Sequence, residues 1–328
     1  MKWNIRELKS RADNLAETNR EGTRSLVLLY CGVIAALTLG SSGLNLYLND
    51  QISGTGGLGG LAMRSVLQTI QELLTYVNLF FTPVWSAGFL MAMIYLVRGG
   101  APEKKQLMSG FHRFGRILAY IAFQFLVTLM LLVAAINVGV TLFALSPMGK
   151  EYAEVMGPIL TDPNIVRADG LVNWELLPMA TFLRSTLPVL AVCLAIFSAL
   201  YIFLSYNFRL TMYLIMTQPI GAVRAHFVSM RLMRGHKWQM LKLDLSWWWY
   251  YLLLTAASAV AYLDVILELV GIPAPFGSMV MFFATLAVYC VLFTALSLWK
   301  KCPVDASYAL AFESIAAAAL EEIPARAE

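Results

Sequence analysis

The chain has 328 residues, 59% of them apolar and 13% charged, with a net charge of +4. Soluble domains are near half apolar and a quarter charged, so this composition excludes an ordinary globular enzyme and suits a chain that spends its length on membrane spans. So small a net charge gives no reason to expect a nucleic-acid partner.

Residues 1–24 are expected to form a cytoplasmic or interfacial amphipathic helix. Asn4 followed by Glu7 has the shape of a capping box, and Ile5, Leu8, Ala12 and Leu15 recur at helical spacing. Two readings stand side by side. Lys2, Arg6, Lys9 and Arg11 would draw an interfacial helix to anionic lipid, with Trp3 as anchor. Alternatively, the helix packs on the protein's own inner face. No signal peptide is expected, because the first apolar run begins only after this charged stretch and no cleavage pattern follows it.

Six transmembrane helices are expected, near residues 25–48, 73–97, 117–145, 186–212, 247–270 and 276–299. In the first, Gly32, Ala36 and Gly40 form a small-residue ladder, expected to be an internal packing seam. Residues 49–60 carry five glycines and are read as a flexible outer loop. They lack the ending of a phosphate loop, and no strand precedes them. Pro83 is expected to kink the second span. Pro102 and Glu103 suit the start of a further helix. The basic run Glu103–Arg116 leads into a third span too long for a straight crossing. Residues 146–185 form an outer loop broken by Pro158, Pro163 and Pro178. Pro273 and Pro275 make a tight outer turn, and residues 300–328 are read as a cytoplasmic tail, helical around Ala306 to Glu321.

With six spans and both termini in the cytoplasm, only Arg64, Lys150, Arg167 and Arg184 of the 24 Lys and Arg fall outside. This threading obeys the positive-inside rule, and the inverted one violates it. The fold class is therefore all-α, a polytopic membrane helix bundle.

The most distinctive stretch is Ser229–Tyr250, where a basic segment meets the aromatic run Trp247–Tyr250 at the mouth of the fifth span. The candidate inner-face residues are Arg231, Gly235, Lys237, Asp244 and Ser246. Asp244 is expected to cap the fifth span, since an Asp just ahead of an apolar run is an N-terminal signature. Ser246 is the rival cap, and an ion pair with a nearby cation is the other role open to Asp244.

The candidate membrane-border charges are Glu72, Arg184, Asp264 and Glu268. Asp264 and Glu268 lie one helical turn apart, so they would bind a cation or relay protons; the alternative is that both are hydrated in the outer headgroup layer. His112, His226 and His236 have no ligand-like partner at i+4, and Cys31, Cys193, Cys290 and Cys302 show no CxxC or Cys/His pairing. No metal, cofactor, disulfide framework or catalytic residue is expected.

The run SMRLMRGHK at Ser229–Lys237, followed by LDLSW at Leu243–Trp247, resembles the signature of an uncharacterised bacterial integral membrane family, the domain of unknown function numbered nine-seven-five. The opening Ile5–Ala12 is similar to that family's start, and Pro303–Phe312 to its end. Glu313 stands where an aromatic usually follows, and Trp247–Tyr250 replaces the usual Phe-Ile. The resemblance implies a multi-pass bacterial plasma-membrane protein and brings no activity with it.

Three functions compete. The first is a non-enzymatic membrane component that anchors, assists or regulates a partner, resting on the lipid bilayer and on anionic lipids at its cytoplasmic face. The second is a small transporter or channel-like permease. The third, an enzyme acting on lipid, needs a polar catalytic cluster that the sequence does not display.

Overall fold

The computed structural model describes the backbone of residues 4–54, 58–147, 149–150, 152–154, 179–263 and 278–321. The described residues are helical and contain no strand. Five helices are long and apolar enough to cross a membrane: Arg20–Asn45, Met63–Val97, Phe114–Leu145, Leu190–Thr217 and Val280–Ala317. The sixth expected span, residues 247–270, is described only to residue 263.

Helix α1 covers Ile5–Thr18, and the Asn4 side chain caps it by accepting from the Arg6 amide at 3.1 Å. The Asn4 cap was legible in the sequence, but the amide it takes is that of Arg6, one residue before the expected Glu7. A break at Asn19 starts α2, Arg20–Gly54, and α3 is Leu58–Val97. Both helices run into the glycine-rich stretch expected to be a loop, which leaves only residues 55–57 between them. Helix satisfies every backbone group internally, and in an apolar medium that outweighs the roughly 1 kcal/mol that each glycine costs.

Beyond α3 the chain turns back on that helix. A 3₁₀ turn at Lys104–Met108 is closed by a capping box between Glu103 and Gln106, and one α-turn spans Ser109–His112. This basic segment lies flat on α3 through two glycines. A Cβ on Gly88 would run into the Leu107 carbonyl, and one on Gly110 into the Val84 carbonyl. Leu107 is fully buried as a result.

Helix α4 is Phe114–Leu145 and α5 is Met179–Phe208. At about 1.5 Å per residue α4 is longer than a hydrocarbon core of about 30 Å. After a corner at Arg209–Leu210 come α6 (Thr211–Thr217), α7 (Ala222–Leu232), α8 (Lys237–Ser246) and α9 (Trp248–Val260). Helix α10, Ser278–Leu296, passes through a π-turn at Ser297–Lys301 into α11, Cys302–Glu321.

The chain divides into two compact units. One comprises residues 121–208, in which α4 and α5 meet where Gly139 faces Cys193 and where the Phe123 and Phe208 rings lie 6.4 Å apart. Much of its apolar surface is bare, with Phe125, Met130, Ile202 and Phe203 all exposed. The other comprises residues 1–120 and 209–328. Its centre is α11, where Val304, Ala306, Tyr308, Ala309, Ala311, Phe312 and Ile315 are buried. Helix α1 lies along α11 through Ala12 against Ala306 and Leu310, with Leu8, Leu15 and Val97 around them. The N-terminal helix thus has its apolar face on the protein's own α11.

The glycine ladder departs from its expected role. Gly32, Ala36 and Gly40 are exposed, and no described atom lies within 4 Å of a Cβ built on Gly32 or Gly40. The glycine of α2 that faces another helix is Gly43, beside the Phe283 ring of α10. Close packing in this protein uses Gly88 and Gly110, where a backbone carbonyl occupies the space a Cβ would need.

Candidate functional site

Charged side chains gather around α11, and each ties it, or the turn that leads into it, to a different part of the fold. The π-turn advances the helix by one extra residue and turns Lys301 inward. Lys301 Nζ pairs with Asp305 at 3.0 Å and lies 4.7 Å from the centroids of both the Tyr30 and the Phe89 rings. That places an ammonium between a carboxylate and two aromatic faces, which compensates its partial removal from water. A cavity of about 190 Å³ adjoins the pair, lined also by Ser86, Leu90 and Tyr213. Tyr30 and Ser86 share a hydroxyl hydrogen bond of 3.0 Å at its wall.

A second cluster centres on Asp244. Arg209 Nη2 donates to Asp244 Oδ1 at 2.8 Å, and the Tyr308 hydroxyl donates to the same oxygen at 2.5 Å. The Tyr251 and Tyr308 hydroxyls are 3.1 Å apart, and the Arg209 guanidinium lies 4.9 Å from the Tyr308 ring centroid. Asp244 thus joins the corner after α5, helix α8, helix α9 and helix α11. The expected cap does not form. Asp244 lies inside α8, and α9 starts at Trp248 with no side-chain cap. An aspartate without a charged partner would take the nearby amides. Here a guanidinium and a phenol reach it first, and charge-assisted bonds are the stronger ones.

Lys9 closes the same, C-terminal end of α8. Its Nζ donates to the Ser246 carbonyl at 3.0 Å, and it sits 3.8 Å from the Trp247 ring centroid. A cation at a helix C-terminus is favoured by the exposed carbonyls and by the dipole. Burial lowers the Lys9 pKa from its ordinary value, and Asp13 opposes that shift. Trp247 is 1% exposed, and its indole donates to Ser307 Oγ at 3.1 Å. Lys300 pairs with Asp13 at 2.9 Å, and Arg98 with Glu313 at 2.8 Å. Both of these are partly open to solvent and contribute little each.

Of the sequence-selected residues, Asp244 and Ser246 enter this network. Gly235 holds φ +91° in the turn between α7 and α8, a conformation that favours glycine. Arg231 is exposed near the end of α7, and Lys237 opens α8. Among the border charges, Glu72 is exposed on α3. Arg184 lies in α5 with its side chain outside the described residues, and Asp264 and Glu268 are outside them altogether. Sequence reasoning missed Lys301, Asp305, Tyr308 and the role of Arg209. One signal was present: Lys301, Asp305 and Tyr308 recur at i, i+4 and i+7, one helical face within an otherwise apolar run.

The histidines serve local structure. His226 is buried, its Nδ1 lies 2.8 Å from the Ala222 carbonyl, and its ring stacks on Tyr120 at 5.4 Å. Burial lowers the His226 pKa, favouring the neutral ring. Among the described residues no three His, Cys, Asp or Glu side chains are grouped to hold a metal ion.

Two clefts on this unit carry cations beside an exposed tryptophan. One lies between the start of α1 and α8, with Arg6, Trp238 and Lys242 on its walls. The other lies where α1 meets α2, beside the π-turn.

No curated protein and no solved structure matches the chain. A family profile matches residues 1–296, short of the Pro303–Phe312 likeness to the family's end. That span takes in the Ser229–Lys237 and Leu243–Trp247 runs, and the chain belongs to the family described as Protein of unknown function (DUF975).

Proposed function

We propose that this protein is a non-enzymatic, multi-pass component of a bacterial plasma membrane, with both termini cytoplasmic, that anchors, assists or regulates a partner. One observation carries the reading: the charged groups around α11 are engaged with one another. Arg209 with Asp244 and Tyr308, Lys301 with Asp305, Lys300 with Asp13 and Lys9 with the end of α8 all join separate elements. Groups engaged this way rigidify a platform, whereas a catalytic cluster needs an acid, base or nucleophile turned toward a substrate. The anionic lipid of the cytoplasmic leaflet is the proposed support of that platform, through its basic surface.

The threading is tested by single-cysteine labelling in a background lacking the four native cysteines. Positions 57 and 162 should label from outside, and positions 106 and 236 only after permeabilisation. Outside labelling at 106 or 236 in intact cells overturns the topology. The role is tested in proteoliposomes, where ion and small-solute flux should equal that of empty vesicles.

A permease is the second reading, favoured by the cavity beside Lys301 and Asp305. Flux that disappears in Lys301→Met would establish it in place of the first.

A further inference from the structure

The cleft beside the π-turn encloses about 410 Å³. Its charged walls are Asp13, Glu17, Arg20, Arg24 and Lys300, with Trp299 at its edge. Lys300 and Asp13 neutralise each other at 2.9 Å. Arg20 and Arg24 are four apart at the start of α2, so both guanidinium groups serve the same side of the helix. Both are exposed, and neither makes an ion pair among the described residues. Glu17 is the one acid of the cleft outside the Lys300–Asp13 pair, so the unpaired balance is positive. The Thr23 hydroxyl has one proton and three carbonyls within reach to accept it, those of Ala16, Asn19 and Arg20.

Below the two arginines the surface turns apolar at once. Val27 at the cleft wall is buried, Leu28 beyond the cleft, one turn past Arg24 on α2, is half exposed, and Trp299 at the cleft edge is 58% exposed. Paired cations at the head of a long apolar helix, next to an exposed indole, have the layout of a membrane–water boundary. A ligand that satisfies both halves has a phosphodiester for the guanidinium groups and a hydrocarbon chain for Leu28, Leu298 and Trp299. Arginine is the side chain best matched to phosphate oxygens.

The geometry points to this cleft as a binding site for one anionic phospholipid, its phosphate held by Arg20 and Arg24 and an acyl chain lying along the start of α2 against Trp299. The inference rests on the anionic-lipid support proposed above and assigns it a place. A soluble phosphate would use the arginines alone and gain nothing from the apolar floor.

The test uses the purified full chain in a neutral detergent. Its thermal unfolding midpoint is followed while phosphatidylglycerol, phosphatidylcholine or inorganic phosphate is added. Phosphatidylglycerol is expected to protect at concentrations where the other two do not. Arg20→Gln with Arg24→Gln should weaken that protection on the order of 25-fold, at about fivefold per cation near an anionic surface. Lys104→Gln with Arg234→Gln, which removes equal charge from exposed positions outside the cleft, should change it less than twofold. Glu17→Gln should strengthen it several-fold, and serves as the decisive variant if the double arginine variant does not fold. Equal weakening by both double variants, or no change with Glu17→Gln, overturns the site and leaves a diffuse preference for anionic lipid. Protection by inorganic phosphate equal to that by phosphatidylglycerol overturns the lipid as ligand. Equal protection by the two lipids overturns the anionic-lipid reading itself, and the site with it.

Discussion

Helix α11 and the α4–α5 pair are both apolar on balance, α11 the least so, and they meet different surroundings. Along α11 nearly every side chain from Val304 to Phe312 is buried. Along α4 the large side chains Phe125, Leu126, Met130, Val133 and Val140 are exposed. The difference lies in polar punctuation. On α11, Asp305, Ser307, Tyr308 and Glu313 each find a partner on another element or in the turn before it. On α4, Thr128, Asn137 and Thr141 bond back to carbonyls four residues earlier in their own helix. A polar group that bonds within its own helix needs no neighbour, so such a helix is at home in lipid. One whose polar groups reach outward must be met by other protein. Hydropathy ranks α11 as the least apolar of the three, but it does not say which residues meet its polar groups.

The largest expected effect contrasts the two regions directly. Ala306→Leu forces a bulky side chain between α11 and α1 and should cost about 3 kcal/mol. Ala134→Leu, on the exposed face of α4, should stay within about 0.5 kcal/mol. Thermal unfolding of both variants in one detergent checks this, and equal losses break the comparison.

Next is the anchor at Asp244. Asp244→Asn and Asp244→Ala should lose similar amounts, about 2 kcal/mol, because Arg209 keeps its charge while losing its partner. If Asn retains most of the stability, Asp244 acts as a cap and the outward-reaching role fails.

Trp247→Phe should cost about 1 kcal/mol. It removes the indole donor from Ser307, and a buried hydroxyl is left to compensate. A loss much below that would show that the ring's bulk, not its hydrogen bond, holds α11.

His226 sharpens the comparison through pH. Its pKa is lowered in the fold, so the unfolded chain takes up a proton first as pH falls. Stability from this residue is present above about pH 6.5, the unfolded value, and is lost as pH drops below it. A melting temperature that falls between neutral and acidic pH, with a slope reduced in His226→Phe, is the expected outcome.

The smallest effect belongs to the small-residue ladder. Gly40→Leu should be close to neutral in the isolated protein, because nothing described stands near its Cβ position. A loss comparable to that of Ala306→Leu would place the ladder in a packed seam.

Much of this was legible in the sequence. Helical class, the long apolar runs and the Asn4 cap follow from local composition and spacing, which act within a few residues. The identity of the family also lay in short runs around Ser229 and Leu243. Within the stretch 49–60 expected to be a loop, residues 49–54 and 58–60 are helical, because backbone satisfaction in an apolar medium outweighs glycine's local freedom.

What the sequence by itself determined is therefore the periodicity and the solvent class: which stretches are helices and which are apolar enough to leave water. Tertiary structure alone decided which apolar face meets protein and which stays bare. It also decided what Asp244 does, because its partners Arg209 and Tyr308 lie 35 and 64 residues away. Helix periodicity reports neighbours three or four positions apart, so a bond across that separation becomes visible only once the helices are packed.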